Sequence, residues 1–112
     1  MISPKEVVQN QLDYYNNHDL DGFLSTYKED VKIYNLIDHS IILEGKEALK
    51  EKYRERFQIF KVHAVLKDRI VIGNKVIDHE HVTGLQTDTI VKAVAIYEIE
   101  DGLIKNVWFI YE

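Results

Sequence analysis

Glu80 and Asp78 stand two residues apart in a segment that reads as a strand, Lys75 to Leu85, so both carboxylates fall on one face. A Gly73-Asn74 pair precedes this segment and suits a two-residue hairpin turn. In that register Arg69 faces Asp78 and Lys67 faces Glu80. The pairs read in two ways. They are exposed cross-strand ion pairs, each worth under ~1 kcal/mol, or they belong to an inward face. On an inward face a carboxyl loses water, its pKa rises, and it becomes an acid–base group. His63 and Val82 share that face in the same reading. The opposite face carries Ala64, Leu66, Ile70, Ile77, His79, His81 and Thr83 and is the more apolar. Burial alone would turn that face inward.

Two histidine motifs add further chemistry. His79 and His81 form an H-x-H pair of the kind that holds zinc, with Asp68 opposite His79 as a third ligand. A polar strand face explains the same residues, and no metal or cofactor is expected. Asp38-His39 could form an acid–base pair, yet Asp-His-Ser is also ordinary turn composition. There is no cysteine, phosphate loop, dinucleotide fingerprint or nucleophile motif.

These residues need elements to hold them. Ser3-Pro4-Lys5-Glu6 is a capping box with proline at the first helical position, and Val7, Val8, Leu12 and Tyr15 follow at helical spacing. Asp19 caps a short second helix through Leu20, Phe23 and Leu24. Val31 to Leu36 alternates as a strand, with Ile41 to Leu43 as its partner. Gly45 opens a third helix with Ala48, Leu49, Tyr53, Phe57 and Phe60 on one side. From Val62 the period becomes two. Segments 62–72, 75–85, 89–99 and 103–111 read as four antiparallel strands, with Asp101-Gly102 as a second hairpin turn. The final strand, Val107-Trp108-Phe109-Ile110-Tyr111, is apolar on both faces, so something should cover each of them.

The 112 residues suit one α+β domain spanning the whole chain. The net charge of −5 and the lack of a basic cluster argue against nucleic acid. No run approaches the ~18 apolar residues of a membrane span, and no signal core is seen, so a cytoplasmic protein is expected.

Several local motifs, in order, carry a resemblance. They are Val7-Val8-Gln9, Asn17-His18-Asp19-Leu20-Asp21-Gly22, Tyr27-Lys28-Glu29-Asp30-Val31, Leu43-Glu44-Gly45-Lys46-Glu47-Ala48-Leu49 and Asp101-Gly102-Leu103-Ile104. With the element order they resemble the NTF2-like superfamily, which contains ketosteroid isomerase and SnoaL-type polyketide cyclases. The resemblance implies a cone: a curved antiparallel sheet wrapped around three helices from the N-terminal half, with an apolar pocket at its wide end. It implies a homodimer through the outer sheet face. It turns the face bearing Glu80, with His63, into the cone as a candidate acid–base set, and places Asp38 and His39 near the mouth. By family position Tyr15, Tyr53, Tyr97 and Trp108 line the cavity, while Gln11 and Asn35 orient a ligand.

The isomerase machinery itself is missing. Its tyrosine falls on Gln11, its base on Asn35 and its neutral aspartic acid on Ala95. An amide cannot abstract a proton near neutral pH, and alanine cannot donate a hydrogen bond. Three readings follow. The chain is an isomerase-, cyclase- or hydratase-like enzyme on an apolar or aromatic compound, a binding protein for such a compound without catalysis, or a dimeric interaction module.

Overall fold

The computed structural model describes residues 2–86 and 88–111. Helix α1 spans Pro4–Asn16, and the Ser3 hydroxyl accepts from the Glu6 backbone N–H at 3.2 Å. Helix α2 is Leu20–Ser25, capped by Asp19 on the Gly22 N–H at 2.9 Å. Strands β1 (Tyr27–Asn35) and β2 (Ile41–Glu44) precede helix α3, Lys46–Glu55, which runs on into a π-helical turn over Arg56–Phe60. Strands β3 (His63–Ile72), β4 (Lys75–Thr83), β5 (Val91–Glu100) and β6 (Leu103–Tyr111) complete the chain.

The expected elements are all present, and β1 begins four residues earlier than alternation alone indicates. Phe60 departs from expectation. The π turn breaks the helical spacing after Phe57, so Phe57 is buried and Phe60 is exposed.

The six strands form one open sheet in the order β2-β1-β6-β5-β4-β3. All pairs are antiparallel except β1 with β6. The three helices pack on one face, as in the expected cone. The core there includes Val7, Val8, Phe23, Leu49, Val76, Ile104 and Val107, all essentially buried. Asn16 fastens α1 to the start of β3. Its amide accepts from Ala64 N at 2.8 Å and donates to Ala64 O at 2.9 Å, as a neighbouring strand would. His18 Nε2 lies 2.6 Å from Val62 O. Asp101 and Gly102 both have positive φ, 54° and 77°, which gives the β5–β6 turn the twist of a tight hairpin. No helix among the described residues is long and apolar enough to cross a membrane.

One irregularity decides what faces the helices. The β3–β4 register shifts between Leu66 and Asp68, so Lys67 is an extra residue. Above the bulge Arg69 pairs with Asp78, as the turn predicts. Below it Leu66, not Lys67, lies opposite Glu80, and Ala64 lies opposite Val82. Each half of β3 therefore presents a different parity inward. On β4 the inward set is Val76, Asp78, Glu80 and Val82, all buried, while Ile77, His79, His81 and Thr83 face out. The more apolar face does not win: Asp78 is paired with Arg69 inside, and burial raises the Glu80 pKa so that it can be held neutral.

Candidate functional site

Asp78 is fully buried and its charge is paired. Arg69 Nε donates to Asp78 Oδ1 at 2.6 Å and Nη2 donates to Oδ2 at 2.9 Å, a bidentate fork. Arg69 Nη1 reaches Gln9 Oε1 on α1 at 2.8 Å. Both side chains are largely out of water, at 9% and 1% exposure. Their pairing is not the exposed surface contact that the sequence also allowed.

Glu80 is the contrasting case. It is only 7% exposed and has no ion-pair partner among the described residues. Burial, chiefly, and then the nearby Asp78 charge push its pKa from 4.5 up to about 7, with Arg69 pulling the other way. Its carboxyl opens into a cleft between α1, α3 and the inner faces of β4–β6. The walls are Gln11, Leu12, Tyr15, Tyr53, Arg56, Ala64, Val82, Leu85, Ala93, Tyr97, Phe109 and Tyr111. The cleft holds about 430 Å³ including its open mouth. Its enclosed part is narrow, with room for only a water molecule or two, so a larger guest requires the side chains at the mouth to swing aside.

Helical spacing puts Gln11 and Tyr15 on one side of α1, one turn apart, and Tyr53 and Arg56 on one side of α3. Tyr97 comes from β5. The Tyr15 and Tyr53 rings meet edge to face at 6.2 Å, and Phe23 and Phe57 buttress both. Burial raises the pKa of Tyr15, Tyr53 and Tyr97, so their hydroxyls stay protonated as neutral hydrogen-bond donors. The structure thus brings Glu80, Gln11, Tyr15, Tyr53 and Tyr97 to one cavity.

Five other expected site residues lie elsewhere. His63 is exposed and pairs with Thr83 on the outer side, because the Lys67 bulge gives the inward position to Ala64. Asp38 and His39 sit in an exposed turn that satisfies itself. Asp38 Oδ1 accepts from Ser40 N at 3.0 Å and from Ser40 Oγ at 2.7 Å, which lowers the Asp38 pKa. Asn35 is spent on the same turn, accepting from Ile37 N at 2.8 Å. Trp108 points to the outer face and stacks on Tyr34, with centroids 5.5 Å apart and planes at 14°. Strand alternation could have shown this, since Val107 and Trp108 must face opposite ways. The same alternation places Phe109 and Tyr111 in the cavity, and Arg56 was reachable as the residue three after Tyr53. Leu85 carried no sequence signal. It is delivered by the turn at Gly84, whose φ is +88° and where a Cβ would lie 2.8 Å from Lys61 O.

His79 and His81 lie on the outer face with ring centroids 5.3 Å apart, and Asp68 pairs opposite His79. Among the described residues, no group of three or more histidines and carboxylates is placed to hold a metal.

The family described as a SnoaL-like domain matches residues 8–107. The chain belongs to that SnoaL-like family, within the NTF2-like superfamily. Among solved structures it is similar to an uncharacterized cystatin-fold protein from Novosphingobium aromaticivorans, with 28% identity and a TM-score of 0.88 over 98% of this chain and 99% of the other. An NTF2-like protein of unknown function from Cytophaga hutchinsonii matches with 16% identity and a TM-score of 0.82, covering 100% of this chain and 92% of that one. An LEH-like epoxide hydrolase from M. tuberculosis shares 16% identity and a TM-score of 0.78 over 95% and 80% of the two chains. The last two likenesses concern the fold alone. No curated protein matches. The SnoaL-like fold hosts more than one chemistry, so the site has to carry the functional argument.

Proposed function

We propose that this SnoaL-like protein binds a small apolar or aromatic compound in the tyrosine-walled cleft and moves a proton on it with Glu80. The observation that supports the reading is a buried carboxyl opening into a cavity and titrating near 7. Such a group is about half ionised at neutral pH, where it can take a proton from carbon or water and return it elsewhere. The neutral tyrosine hydroxyls are donors for an oxyanion that develops on the substrate. An isomerisation, a cyclisation or a hydration fits this equipment. The ketosteroid isomerase set does not, with Gln11, Asn35 and Ala95 at its positions. The epoxide hydrolase among the fold neighbours agrees with a water-activating variant.

Turnover screening of apolar and aromatic compounds tests this directly. Glu80→Gln is expected to abolish any turnover found, and the wild-type rate is expected to titrate with a midpoint near 7. Turnover that survives Glu80→Gln unchanged removes Glu80 from the mechanism. Ligands that raise the melting temperature but emerge unaltered favour a binding protein without catalysis.

The second reading concerns assembly. Tyr34, Ile77, Val94, Ile96, Trp108 and Ile110 leave a partly exposed apolar surface on the outer sheet face. A second copy of the chain covers such a surface economically. Sedimentation is expected to report a dimer that Trp108→Arg dissociates, and a wild-type monomer at high concentration would rule it out.

A further inference from the structure

Lys52 and Arg56 stand four residues apart on the same side of α3 and the π turn that extends it. Like charges at that spacing repel. Helices tolerate the arrangement most easily when a carboxylate intervenes. Among the described residues neither cation has a carboxylate at ion-pair distance, although the chain carries 19 acidic residues against 14 basic ones. Glu51, on the same helix, pairs with Arg54 instead. Lys52 is partly buried. Its pKa is lowered by that burial first and by Arg56 second.

Arg56 occupies a junction. It lines the inner cavity with Tyr15, Tyr53 and Glu80. It also lines the adjoining cleft with Lys52, Ile42 and Leu43, and an outer vestibule with Leu85 and Ile90. Its guanidinium lies over the Tyr53 ring, 4.9 Å from the centroid, and Tyr111 shares the same cavity wall. The Tyr53 ring holds it in place while its charge goes unmatched. Glu80 shares the cavity with Arg56, but the two do not come within ion-pair distance. A π-helical turn is a costly local geometry that tends to occur where function needs a displaced side chain. Here it begins at Arg56.

We propose that the compound taken by this pocket carries a carboxylate, which docks on the fork of Arg56 with Lys52 reinforcing the field, while its apolar or aromatic body lies along the tyrosine wall toward Glu80. The inference rests on the pocket reading above and deepens it. A planar guanidinium stacked on an aromatic ring matches a carboxylate in two parallel hydrogen bonds, which a lysine cannot do. Partial burial strengthens the pairing relative to a surface site.

The test uses matched probes on the full chain by calorimetric titration: cinnamate against cinnamamide, indole-3-acetate against indole-3-acetamide, and 2-naphthoate against 2-naphthamide. For at least one pair the acid is expected to bind about tenfold or more tightly than its amide, and added salt is expected to weaken the acid alone. Arg56→Gln should bring the ratio of acid to amide affinity close to one. Arg56→Lys should keep part of the preference, and Lys52→Gln should lose about two- to threefold. Equal binding of acid and amide to the wild type overturns the proposal, as does a preference that persists in Arg56→Gln. If Arg56→Gln fails to fold by circular dichroism, the salt dependence and the lysine variant decide. Neutral naphthalene binding without any of the acids defeats this inference and leaves the pocket standing. Failure of every aromatic probe, charged or neutral, defeats the pocket reading as well.

Discussion

Asp78 and Glu80 sit on one strand, two residues apart, and both face inward, yet they occupy opposite electrostatic situations. Asp78 is gripped by Arg69 at 2.6 and 2.9 Å and serves the architecture. Glu80 has no such partner and opens into a cavity, where burial and its neighbour's charge hold its pKa near 7. Burying a carboxylate costs several kcal/mol unless it is paired or protonated. The strand uses both solutions side by side. A paired carboxylate is chemically quiet at neutral pH; a protonatable one is available for work.

The contrast can be broken from the paired side first. Asp78→Ala leaves the Arg69 guanidinium buried without its counterion and is expected to cost about 3–5 kcal/mol in urea unfolding. The same substitution removes the charge that raises Glu80 and frees the one that lowers it, so the Glu80 pKa should fall toward 4.5, as followed by carboxyl NMR.

The unpaired side gives the next effect, and its sign is opposite to that of a salt-bridged acid. The folded Glu80 pKa, about 7, lies above its unfolded value of 4.5. Stability from this group is therefore full below about pH 4.5 and is lost as pH rises through about 7, by about 3 kcal/mol in all. Glu80→Gln lacks that loss. The difference between wild-type and variant stability curves should show it in that window, with the variant gaining relative to wild type as pH rises to 8. Groups with lowered pKa, such as Glu98 and Glu100, titrate the other way and cancel in the difference.

Arg69→Lys sharpens the comparison more gently. It keeps the charge but loses the fork and the contact to Gln9, for an expected cost of about 1–2 kcal/mol by thermal melting. Asp38→Asn is the smallest. Asp38 is exposed in a turn, so the substitution is expected to change melting by less than about 0.5 kcal/mol and to leave ligand binding unaltered. A large effect on binding would return the Asp38-His39 turn to the site.

Much of the architecture was readable because the local rules agree with one another. Ser3-Pro4 and Asp19 cap their helices, and Gly73-Asn74 and Asp101-Gly102 turn their hairpins where the sequence places them. The site was readable in part. Gln11, Tyr15, Tyr53 and Tyr97 reach the cavity through helical spacing or strand alternation, which persist over several turns or residues. Trp108, which family position puts in the cavity, lies outside it, as that alternation requires. Asn35 and Asp38 are short polar residues in a turn, where backbone N–H groups compete for them and win, and His39 is exposed in the same turn.

By itself, then, the sequence determined that Asp78 and Glu80 share a face and that Arg69 stands across from Asp78, because a two-residue turn and a period of two leave little freedom. Only the tertiary structure decided the rest. The Lys67 bulge is a backbone event without a residue signature, and it exchanged His63 for Ala64 inside the cone. The packing of α1 and α3 over the sheet then withdrew water from both carboxylates. Their fates diverged because Arg69 keeps the place across from Asp78 that the turn gives it, whereas the bulge puts Leu66 where Lys67 would have faced Glu80.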